Sequence, residues 1–164
     1  MSQINKDVRI KIRSELHDVE ASLFSTEDID FDNLPISEES PEPEILDINT
    51  VGSYTDDGER ISISYSESEA TGMEGSITTI TFLKSEPLIV SMIREGMVST
   101  TLVFESEKRH HCLYKTPFMP FEICVRTIKV SNSLLGIGTL TLDYVVEIRG
   151  AKAERTKFSM QILN

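Results

Sequence analysis

Arg94 is the residue in this sequence with the most chemical reach. It ends a run in which Leu88, Val90 and Met92 share its parity, so a strand there points the guanidinium inward or at a rim. An inward arginine must find acceptors, because an unpaired buried charge is very costly. Glu67, Glu69 and Glu74, in the polar connection before it, are the anions on hand. Two uses are open. Its fork of donors can hold the carboxylate or phosphate of a ligand, or it can close a structural ion pair at the end of a sheet. Tyr54, Tyr65, Tyr114 and Tyr144 are the only tyrosines. Those that face an interior offer hydroxyls in apolar surroundings, which suits an amphipathic molecule; equally, each can pack its ring in the core and show its hydroxyl at a rim. Thr116, after Tyr114, adds a further hydroxyl.

Other chemistries find less support. His110 and His111 are adjacent on a strand and face opposite sides, and His17 is remote, so no metal set is implied. Ser64 and Ser66 alternate on the wet face of a strand, and no G-x-S-x-G elbow occurs. Gly136-Ile137-Gly138 lacks the later glycine and the β-α setting of a dinucleotide fingerprint, and no G-K-[ST] follows Thr71-Gly72-Met73-Glu74-Gly75. The residues imply no cofactor and lean away from an enzyme without excluding one.

The elements that must position these residues are strands. Val8, Ile10, Ile12 and Leu16 lie on one face of 7–17, with Arg9, Lys11, Arg13 and Glu15 on the other. Runs of the same period recur at 50–55, 60–66, 77–83, 88–94, 98–104, 109–114, 121–129, 138–148 and through Phe158, Met160 and Ile162. Turn signals such as Asp56-Asp57-Gly58 and Glu95-Gly96 separate them. Such a chain is expected to be all-β: a closed up-and-down barrel of eight to ten antiparallel strands, since closure removes exposed edges. A two-sheet sandwich is the alternative. Ile61, Ile63, Val90, Leu102, Ile123, Val125, Leu140 and Leu142 are expected inside.

The segment 18–47 breaks the rhythm. It is an acidic insert after the first strand, read as a loop or partly helical, with Ser25 or Thr26 able to cap a short helix ahead of Glu27-Asp28. Its acids account for most of the net charge of -11, because 48–164 carry fourteen acids against twelve bases. That surplus argues against nucleic acid or an anionic membrane as partner. No apolar run reaches the roughly 18 residues a membrane helix needs. The charged start MSQINKDVRIKIRSE does not resemble a signal peptide, and Cys112 and Cys124 read as free thiols; a cytoplasmic setting is expected.

Gly52-x-Tyr54, Ile63-Ser64-Tyr65-x-Glu67, Thr71-Gly72-Met73-x-Gly75, Thr78-Thr79, Arg94-x-Gly96, Val103-Phe104, Tyr114-x-Thr116-Pro117 and Thr127 stand in an order that resembles the DUF1934 family. The resemblance covers about residues 50–147. It implies a bacterial, cytoplasmic, calycin- or lipocalin-like barrel, and no activity. The acidic insert is longer than that pattern, and Phe118-Met119-Pro120 stands where Tyr-Gly is typical. The motif positions add Tyr54 and Thr79 to the candidate binding set of Tyr65, Glu67, Glu74, Arg94, Tyr114 and Thr116. The expectation is a barrel that binds a small apolar or amphipathic molecule. The alternative is an interaction module with a packed interior, working through its outer surface or its acidic insert on a basic protein, or pairing as a homodimer.

Overall fold

The computed structural model describes residues 3–19, 44–67, 74–148 and 153–163. Ten strands make it up: β1 (Ile4–Val19), β2 (Glu44–Asp56), β3 (Arg60–Ser66), β4 (Ile77–Leu83), β5 (Glu86–Glu95), β6 (Ser99–Glu105), β7 (Arg109–Lys115), β8 (Pro120–Ser133), β9 (Thr139–Ile148) and β10 (Ala153–Leu163). Each pairs antiparallel with its neighbour in sequence, and β1 pairs with β10 to close the barrel. The sandwich alternative is thereby set aside. No described helix is long and apolar enough to cross a membrane.

The alternation explains the walls. All eight residues expected inside are buried, and Ile61, Ile63, Val90, Val125 and Leu140 are wholly so. The plain period of two is broken where the register of β4 on β5 shifts between Thr81 and Leu83, with adjacent Thr81 and Phe82 both buried, and again on β8. The register of β8 on β9 shifts between Thr127 and Lys129, so the parity changes and Val130 turns inward after Thr127. At Gly52 a side chain is excluded: a Cβ there would lie 2.6 Å from the Ser64 carbonyl oxygen and 2.5 Å from Ile10 Cδ1. The glycine lets β2 pass close between β1 and β3.

Strand β1 runs past its expected limits, and β2 starts at Glu44 rather than Thr50. The cause is pairing. β1 is hydrogen-bonded on both sides, and Leu16↔Glu44 to Ile12↔Ile48 extend the ladder where the side chains are no longer clearly alternating. Asp18, Val19 and 44–47 are therefore strand, which corrects the expected bounds of the insert. The rest of it, 20–43, lies outside the described residues, as do the helix cap expected at Ser25 or Thr26 and Glu69.

One seam is thin. β6 and β7 are each seven residues long but pair only at Ser99↔Lys115 and Thr100↔Tyr114. Beyond those pairs Cys112 lies buried inside the barrel, its thiol donating to the His110 carbonyl at 3.9 Å.

Candidate functional site

Register brings together what sequence separation hides. Tyr65 on β3 lies opposite Thr78 on β4, Thr78 opposite Arg94 on β5, Arg94 opposite Thr100 on β6, and Thr100 opposite Tyr114 on β7. These five side chains form a polar belt across five adjoining strands, at the barrel end where β1 finishes and β2 begins. Tyr65, Thr78 and Thr100 are buried, and Tyr114 is packed against the core. Glu67 follows the end of β3, with its backbone N–H donating to the Ser76 carbonyl at 2.8 Å. That bond turns its carboxylate back over the belt.

The belt is wired through Thr78. Its hydroxyl donates to Glu67 Oε1 at 2.6 Å and accepts from Arg94 Nε at 3.2 Å. Arg94 Nη2 lies 3.6 Å from the same carboxylate oxygen and 3.8 Å from Met92 Sδ. The guanidinium is thus a member of an ion pair inside the protein, with the carboxylate nearly sealed from water at 3% exposure. Of the two uses open to Arg94, the structural pair is the one observed, and Glu67 is its anion. Behind the pair sit Tyr144, opposite Thr127 and Thr156, and the Phe104 ring, 4.5 Å from that of Tyr144.

The Thr100 hydroxyl stands apart: it is buried and has no hydrogen-bond partner among the described residues. Leaving such a group unsatisfied costs about 1–3 kcal/mol. It faces the barrel interior with Leu102 and Phe104, whereas the outer face of β5, β6 and β7 carries a separate concavity of about 500 Å³ lined by Ile93, Thr101, Leu113 and Lys115. The thin β6–β7 seam starts at the same place.

The structure gathers Tyr65, Glu67, Arg94 and Tyr114 of the candidate set and leaves four others elsewhere. Thr79 faces outward, its hydroxyl bonded to Ser64 Oγ at 2.8 Å, since one residue along a strand reverses the face. Thr116 is used up in its turn: its hydroxyl donates to the Met119 carbonyl at 2.9 Å and accepts from the Phe118 and Met119 N–H groups. Glu74 is exposed in the turn before Gly75, whose φ is 90°. Tyr54 packs toward the opposite barrel end, with Lys6 Nζ 5.3 Å above its ring. Burial, then Asp56, raises its phenol pKa, and Lys84 opposes. Parity shows which side a residue takes, not its height in the barrel. Thr78 and Thr100 were missed for want of an apolar signature, although Thr78 shares the parity of Ile80 and Phe82.

Each histidine lies by a different carboxylate: His17 by Glu15 at 2.9 Å, His110 by Glu105 at 3.5 Å and His111 by Glu122 at 3.6 Å. No group of three or more metal-binding side chains occurs among the described residues. Cys112 and Cys124 are free, with their thiol pKa values raised by burial.

Two phenols by the ion pair are held neutral. Burial raises the Tyr65 pKa above its ordinary 10.0, Glu67 reinforcing and Arg94 opposing. Burial likewise raises Tyr144, against Arg94 and the Thr156 hydroxyl. A raised folded pKa favours the protonated fold. The stability it contributes is complete below the unfolded value near pH 10 and is lost as pH climbs from there through the folded one. Thermal melts across that range should show wild type losing stability faster than Tyr65→Phe above about pH 10. Parallel curves would remove the burial argument.

Comparison with known proteins now decides the family. Residues 29–160 match the family described as Domain of unknown function (DUF1934). The chain belongs to that family. Among solved structures, the ywiB protein from Bacillus subtilis is similar, with a TM-score of 0.62 and 14% identity over 96% of this chain and 94% of that one. At that identity the likeness speaks for the calycin-like barrel fold alone. No curated protein matches the chain.

Proposed function

We propose that this DUF1934 barrel binds a small amphipathic molecule, with the polar part of the ligand seated at the Arg94 belt. The observation that carries the reading is the Thr100 hydroxyl, buried on the inner face of the barrel across from Arg94 and without a partner among the described residues. A barrel that was only scaffold would gain by replacing that hydroxyl with a methyl group. Around the same end the turns carry apolar side chains: Met97 after β5, and Phe118 and Met119 after β7, with Phe118 94% exposed. An apolar rim over a polar, buried belt suits a molecule with both characters. Two unpaired thiols fit a reducing, cytoplasmic setting for it.

Thr100→Val tests this. Valine keeps the volume and removes the unpartnered oxygen, so its melting temperature should equal or exceed that of wild type. Native mass spectrometry of both proteins, gently purified, should find a bound small molecule on wild type and little or none on the variant. A wild-type protein that neither carries nor takes up any small amphipath would overturn the reading. The exposed rim residues favour one other function, an interaction module using its outer surface. In that case Phe118→Ala would lose a protein partner or a homodimer, and Thr100→Val would not.

A further inference from the structure

We propose that the polar group this site accepts is uncharged, a hydroxyl, carbonyl or amide, and that carboxylates, phosphates and ammonium groups are rejected. This deepens the binding reading and rests on it. The argument is the charge balance of the belt. Glu67 is the buried carboxylate of the belt, and Arg94 is the cation 3.6 Å away, with the Thr78 hydroxyl bonded to both. The pair sums to zero. A third charge brought beside it would be attracted by one member and repelled by the other at similar range, while losing its own hydration. An uncharged polar group loses far less on desolvation and recovers it through hydrogen bonds.

The rest of the belt agrees in kind. Thr100 offers a hydroxyl that both donates and accepts, and Tyr65 and Tyr144 are protonated phenols. Glu154, on β10, acts on Tyr144 with sign opposite to Arg94, so charges of both signs reach the phenol.

A matched series tests the inference: 1-octanol, octanamide, octanoate and octylammonium, each displacing the neutral dye Nile red from the wild-type protein at about pH 8, where the last two are charged. Octanol and octanamide should displace the dye at concentrations about tenfold or more below those of octanoate and octylammonium, a difference of about 1.4 kcal/mol. In Glu67→Gln, Arg94 is left uncompensated, and octanoate should gain about tenfold on octanol. Octanoate or octylammonium winning on wild type would overturn the inference and leave the binding reading standing. Dye that does not bind, or that no member displaces, would remove the binding reading and this inference with it. Should Glu67→Gln fail to fold, the wild-type ranking still decides.

Discussion

Arg94→Met is expected to destabilise the protein by about 3–5 kcal/mol, because it strands a buried carboxylate. Glu67 has 3% of its side chain exposed, and its Oε1 accepts from the Thr78 hydroxyl at 2.6 Å and lies 3.6 Å from Arg94 Nη2. Methionine fills much of the space without supplying a donor. The reverse change, Glu67→Leu, should cost less, since the Arg94 side chain is 15% exposed and can still reach water. Combining the two removes both charges, so the double variant should be more stable than the sum of the single losses by about 1–3 kcal/mol. Urea unfolding of the four proteins measures the cycle. Additive losses would mean that the 3.6 Å pair contributes nothing beyond its separate members.

Phe104→Ala should cost a similar amount, about 3–5 kcal/mol, for a different reason. The ring is wholly buried, lies opposite Val90 in the register and stacks at 51° on Tyr144. It also stands beside the thin β6–β7 seam, where few ladder bonds remain to hold the wall if the ring is lost. Phe118→Ala is the control. That ring is 94% exposed, so its removal should stay within about 0.5 kcal/mol. Urea midpoints for the two variants should differ widely; equal midpoints would contradict the assignment of inside and outside.

Much of the barrel was legible because a strand's period is two. Ile61 and Ile63, Leu140 and Leu142, Val90 and Met92 announce their walls, and Arg94 follows from the parity of the last pair. Three things needed the third dimension. The shift between Thr127 and Lys129 moves Val130 inside with no residue type that signals it. The polar start of β2 is strand because β1 pairs with it, not because of its own pattern. Thr78 and Thr79 are chemically the same, and only the register beside Tyr65 and Arg94 places one in the belt and the other on the surface. Tyr54 shows the complementary limit: its motif position puts it in the candidate set, yet it packs nearer the far end. Thr100 was the hardest to find, since its importance lies in a missing partner that no sequence records.

The most direct test follows threonine methyl groups by NMR while 1-octanol is added to selectively labelled protein. Four threonines, two on β4 and two on β6, form a built-in comparison: Thr78 and Thr100 are buried in the belt, Thr79 is bonded to Ser64 outside and Thr101 is exposed. Saturable shifts at Thr78 and Thr100, with Thr79 and Thr101 unmoved and the Thr100→Val protein unresponsive, are the result expected of a ligand site at Arg94. Shifts confined to Thr79 and Thr101, or none at all, would contradict it.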